Sequence, residues 1–187
     1  VLELYMSSNN SSFDVVSAGT NGIFGTPTRG VWTHVACARE GNNIRIFMDG
    51  ELKGTTSYSG SLMNATSTFF IGQRNNTAYY DGKISNFRMV KGTAVYTAAF
   101  KVPTEPLSNI SGTVLLCCND SSVTGSTVTP GTISKTSSPT ASTDSPFVDP
   151  DMNVFGADGE HNVIATGEYI GNSSATGPKI YLGWEPQ

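Results

Sequence analysis

Val31-Trp32-Thr33-His34-Val35-Ala36-Cys37-Ala38-Arg39, the turn Glu40-Gly41-Asn42-Asn43, then Ile44-Arg45-Ile46-Phe47-Met48, Asp49-Gly50 and Glu51-Leu52-Lys53-Gly54 decide the fold. Asp-Gly between two strand-like runs is the strongest short hairpin signal, because both central residues of a type I′ turn need positive φ. Alternation places Ile44, Ile46 and Met48 on one face, with Arg45 and Phe47 on the other. On the preceding run Trp32, His34, Ala36 and Ala38 share a face opposite Val35, Cys37 and Arg39. Both faces carry apolar side chains, which is the pattern of a strand held between two layers.

Working outward, more strand signals follow at short spacing. Thr68-Phe69-Phe70-Ile71-Gly72 precedes a polar loop, Gln73-Arg74-Asn75-Asn76-Thr77. Tyr79-Tyr80-Asp81-Gly82 then leads into a strand over 83–90, and Thr113-Val114-Leu115-Leu116-Cys117-Cys118 closes the series. Short strands separated by turn residues indicate an antiparallel sandwich. No segment keeps a helical period. The expected fold is therefore all-β, an antiparallel jelly-roll sandwich over residues 1–118.

Beyond it the composition changes. Residues 119–150 are dominated by Ser, Thr and Pro, with Lys135 as the single basic residue. Such a stretch buries too little apolar surface to offset its own ordering entropy. It is expected to be a linker, or a strap laid on a neighbouring chain. Aromatics return from Phe147, and residues 151–187 read as the first strands of a second β module. The chain opens on Val1-Leu2-Glu3-Leu4-Tyr5 and closes on Leu182-Gly183-Trp184-Glu185-Pro186-Gln187, both like cuts through structured sequence, so it is expected to be part of something longer.

Composition narrows the function. The 187 residues include 11 basic and 15 acidic side chains, a formal net charge of −4. That balance lacks the basic face needed to neutralise phosphates, so nucleic acid is not an expected partner. No apolar run approaches the ~18 residues of a membrane-spanning helix, and no membrane insertion is expected. Ser and Thr together supply 44 residues. Cys37, Cys117 and Cys118 are too few and too awkwardly placed for a disulfide framework, since neighbours in a strand point to opposite faces. They are expected to be buried small hydrophobes in a protein assembled in a reducing compartment.

The run Trp32-Thr33-His34-Val35-Ala36, with Arg39, Gly41-Asn42 and Ile44 through Gly50, resembles the centre of a concanavalin A-like, laminin G-like jelly roll. Ile71-Gly72 and Tyr80-Asp81-Gly82-Lys83-Ile84-Ser85-Asn86-Phe87-Arg88 resemble its closing strands. The continuation Lys91-Gly92-Thr93-Ala94-Val95-Tyr96, with Phe100 and Pro103-Thr104, is similar to versions of this domain in tail-fibre and structural proteins of tailed bacteriophages. The likeness covers roughly residues 15–118. It implies a virion protein (tail fibre, appendage or capsid decoration) assembled in the host cytoplasm with other virion proteins and with copies of itself, as a homotrimer or symmetric ring. A non-enzymatic structural and interaction role that contributes to host-surface attachment is implied, and a dedicated lectin-like module recognising host-surface glycans is the alternative.

Related jelly rolls include glycosidases, which place carboxylates on one strand as Glu-x-Asp-x-x-Glu, with alternate positions sharing a face. No such strand occurs here; Asp49 and Glu51 flank a hairpin turn. His34 and His161 lie outside any Ser or Cys nucleophile motif, and no catalytic residue is expected. His34 is expected to pack in or beside the sandwich, and Trp32, which begins an apolar strand, is expected in its core. Sugar binding needs an exposed aromatic platform bordered by amides and carboxylates. Tyr79 and Tyr80 beside Asn75, Asn76 and Asp81 form the best such constellation, able to hold a glycan or an ion. The same residue types also build a turn at a strand entrance. No cofactor is expected, with calcium the one candidate. Asp149, Asp151 and Asn153 space oxygens as at the start of a calcium loop, but Val154 stands where that loop turns on Gly and no closing Glu follows.

Overall fold

The Asp49-Gly50 signal forms as the type I′ geometry requires: φ is +52° at Asp49 and +79° at Gly50. In the computed structural model of the chain, which describes residues 1–63, 68–74 and 78–147, that turn joins two strands of a central meander. Three strands build it: β3 (Val35–Glu40), β4 (Asn43–Met48) and β5 (Glu51–Ser57), in the order β3-β4-β5. Glu40 pairs with Asn43, so the first hairpin closes on two residues, and Gly41 takes φ +57°. In the second, Ile46 pairs with Gly54 and Phe47 with Leu52, which leaves Lys53 as the extra residue of a bulge.

The centre of β4 is buried on both faces, as the apolar side chains on each of its faces predict. Ile44 and Ile46 are each 1% exposed and Phe47 is fully enclosed. Ile44 joins Val15 and Val16 in a core lined by Leu4, Met6, Tyr58 and Leu62. That layer belongs to the N-terminal hairpin, β1 (Leu2–Glu3) paired antiparallel with β2 (Ile23–Gly25). The hairpin is tied to β5, because Asn21 Nδ2 donates to the Thr55 carbonyl at 3.1 Å and Thr56 Oγ1 to the Thr20 carbonyl at 2.8 Å. On the opposite face Phe47 meets Tyr96 and Phe100, whose rings stack 3.6 Å apart at 9°. Each enclosed side chain of this size stabilises the fold by about 1.5–3 kcal/mol. Gly50 lets the chain close over Phe47: a Cβ there would strike the Phe100 carbonyl oxygen, whose residue's N–H donates to the Gly50 carbonyl at 2.9 Å.

A third sheet follows the order β10-β9-β8, from β8 (Phe87–Val90), β9 (Thr113–Cys117) and β10 (Ser126–Val128), all antiparallel. Leu115, Leu116 and Cys117 are its buried residues. A short hairpin, β6 (Gln73–Arg74) with β7 (Ala78–Tyr79), completes the set. The described residues are all-β and contain no helix, the architecture of an antiparallel jelly-roll sandwich.

The structure departs from the sequence reading in several places. β3 begins at Val35, so Trp32 precedes the strand and is 37% exposed, not core. Residues 68–72 form no strand and Phe69 is 58% exposed; the extended segment begins at Gln73. The strand expected over 83–90 is confined to Phe87–Val90. Within the Ser/Thr-rich stretch, β10 adds to β9, and Thr136 Oγ1 donates to Gln73 Oε1 at 3.0 Å. Asp144 pairs with Lys83. As far as it is described, that stretch therefore lies along its own chain, in one compact unit running Val1–Phe147.

Candidate functional site

The aromatic candidates sit on the β6–β7 hairpin. Gln73 pairs with Tyr79 and Arg74 with Ala78, and the Tyr80 N–H extends the ladder by donating to the Gly72 carbonyl at 2.8 Å. Gly72 takes φ +75°, so the approach to the hairpin turns where an ordinary side chain would be strained. Tyr79 and Tyr80 are 55% and 61% exposed, and Asp81 follows them at the surface. The Tyr80 ring lies across Gly82: a Cβ there would come within 2.7 Å of Tyr80 Cε1. Glycine is thus what leaves room for the ring beside the backbone. Asn75 and Asn76 lie outside the described residues, as do the calcium candidates Asp149, Asp151 and Asn153. Tyr79, Tyr80 and Asp81 are thus consecutive exposed residues at the end of the hairpin.

Two further aromatic features lie outside that hairpin. Tyr5 and Phe13 stand 4.8 Å apart and are 44% and 59% exposed. They bracket a polar loop in which Asn9 Oδ1 accepts from the Ser11 and Ser12 N–H groups and Asp14 accepts from Ser8. Only the spacing of two aromatics around Ser7–Ser12 hints at it in the sequence. The second feature is interior. His34 packs edge-on to Phe100 at 5.4 Å and Tyr96 at 6.0 Å, beside Phe47. Burial holds the imidazole pKa below its ordinary value, with Arg88 acting the same way and Asp49 against them. The ring is half-buried, in keeping with a packed residue.

Several carboxylates are engaged locally. Asp49 Oδ1 caps the His34 N–H, Glu40 pairs with Arg45 at 3.0 Å, and Glu51 with Lys53 at 2.6 Å. Asp120 Oδ1 accepts from the Ser122 N–H at 2.8 Å. Among the described residues no three of His, Cys, Asp or Glu converge as metal ligands. Arg39 is likewise spent on structure: its guanidinium donates to the Tyr58 and Gly60 carbonyls at 3.1 and 2.8 Å and to Gly41 at 3.1 Å.

No curated protein and no solved structure matches the chain. A family model described as the concanavalin A-like lectin/glucanases superfamily, Laminin_G_3, matches residues 2–95. That span holds the N-terminal hairpin, the central meander and the β6–β7 hairpin with its tyrosines. With half of its length matched and an antiparallel all-β fold to accompany it, the chain belongs to the concanavalin A-like lectin/glucanase superfamily.

Proposed function

We propose that this is a non-enzymatic attachment domain that holds glycans through the β6–β7 hairpin. The observation that carries the reading is the pair of tyrosines, 55% and 61% exposed, with Asp81 beside them. Exposed aromatic faces stack on the apolar faces of sugar rings, while carboxylates and amides take the hydroxyl hydrogen bonds. A binding role without bond cleavage is supported by the use of Asp49, Glu40, Glu51 and Asp120 in turns and ion pairs.

The setting we propose is a bacteriophage particle, as a tail-fibre, appendage or decoration subunit that meets host-surface glycans. The motif Lys91 through Tyr96, with Phe100 and Pro103-Thr104, supports it through its likeness to such proteins. In that setting the chain assembles in the host cytoplasm with other virion proteins and with its own copies, as a trimer or ring.

A glycan array probed with the full chain and with Tyr80→Ala tests the binding. Retained melting temperature with binding weakened about tenfold or more, 1.4 kcal/mol, supports the hairpin as the site. Equal binding by the two proteins, or none by either, overturns it.

A further inference from the structure

The end of β9 brings two thiols together where strand alternation would part them. Cys117 is the last residue of β9 and is buried; Cys118 follows, half-buried. Adjacent residues of a regular strand point to opposite faces. Cys118, however, takes φ +56°, a left-handed conformation that breaks the alternation. The Cys118 thiol now faces Cys117 Sγ at 3.9 Å. Its carbonyl is pinned across the sheet, accepting from the Asn86 N–H at 2.7 Å, and Asn86 itself has φ +55°. Left-handed backbone at a non-glycine residue is strained and persists only where its surroundings enforce it. Both thiols are free.

We propose that Cys117 and Cys118 are a vicinal redox pair that closes to an eight-membered disulfide ring when the protein meets a small-molecule disulfide. Half-buried Cys118 reacts first. Its thiol gives up a proton, the sulfur attacks one sulfur of oxidised glutathione, and the glutathione S–S bond breaks to release one glutathione. Cys117 then gives up its proton and attacks Cys118 Sγ, the mixed disulfide breaks, and the second glutathione leaves. Two protein thiols are oxidised by two electrons, and one glutathione disulfide is reduced to two thiols that carry the two protons. The mixed disulfide has its resolving sulfur already beside it, so ring closure outruns release of the adduct. Burial pushes the Cys117 thiol up to about 12 and raises Cys118 as well, so both stay protonated near neutral pH and exchange is slow, and the oxidation is read at equilibrium.

The third cysteine supplies an internal control. Exposed Cys37 has no sulfur neighbour among the described residues, so it is expected to retain glutathione. Trypsin separates the sites, since Gly30–Arg39 holds Cys37 and Val102–Lys135 holds the pair. The full native chain is brought to equilibrium in glutathione redox buffer from both the reduced and the oxidised side, then quenched with acid and mapped by mass spectrometry. The expected result is loss of two hydrogens from Val102–Lys135 without bound glutathione, while Gly30–Arg39 gains one glutathione. A glutathione adduct that persists on Val102–Lys135, or two free thiols there once Cys37 is modified, overturns the proposal.

Discussion

His34 and Asp49 hold each other across the mouth of the central hairpin. The His34 N–H donates to Asp49 Oδ1 at 2.8 Å, and the Asp49 N–H donates to the His34 carbonyl at 2.8 Å. Asp49 thus serves twice, once as a left-handed turn residue and once as a cap. Asp49→Ala removes the cap and strains the turn, with an expected loss of about 1–3 kcal/mol in chemical denaturation. Asp49→Asn keeps both features and is expected to retain most of that stability.

Gly50 is the harsher test of the same turn. Any side chain there meets the Phe100 carbonyl at a positive φ, so Gly50→Ala forces Phe100 away from Phe47. We expect a loss above about 2 kcal/mol, larger than a left-handed glycine alone would explain. A smaller loss would mean that the connector carrying Tyr96 and Phe100 shifts freely.

The double burial of β4 predicts an asymmetry between neighbours. Phe47→Ala is expected to cost about 3–5 kcal/mol, because the enclosed ring leaves a cavity. Leu52 lies opposite Phe47 on β5 but is 45% exposed, and Leu52→Ala is expected to cost under about 1 kcal/mol. Urea midpoints of the two variants check the ordering.

Protonation supplies a fourth prediction. Burial holds the His34 pKa below the ordinary value of about 6.5, so the unfolded chain binds this proton more readily than the folded one. The stability contributed by neutral His34 is complete above about pH 6.5 and is lost as the pH falls toward the folded-state value. Denaturation midpoints at pH 7.5 and 5.5 should therefore converge in His34→Gln relative to the parent chain. An unchanged difference would place the dependence on other groups.

Much of this architecture was legible in the sequence because it is local. Asp49-Gly50, the period-two alternation of Ile44 to Met48 and the two-sided apolar character of β4 are short-range signals, and each corresponds to an observed feature. Thr68–Gly72 misled because aromatic and β-branched residues favour a strand only where a partner and a cover exist; Phe69 finds Phe87 as a tilted neighbour at 5.7 Å and little else. Trp32 reads as core because it opens an apolar run, yet it precedes the first ladder residue. The opposed orientation expected for Cys117 and Cys118 failed at one dihedral angle, that of Cys118. Tyr79, Tyr80 and Asp81 were found from residue type and adjacency. The Tyr5–Phe13 pair was missed because its members are eight positions apart and meet only when the intervening loop folds on Asn9 and Asp14.

The attachment of β10 fixes how the domain answers a load. It spans Ser126–Val128, hangs from β9 alone, and has an irregular register there. Tension drawn back from residue 147 meets the Asp144–Lys83 and Thr136–Gln73 contacts first and reaches this marginal strand only after they part. A three-residue edge strand is then expected to give way before the enclosed Ile44–Phe47 interior does.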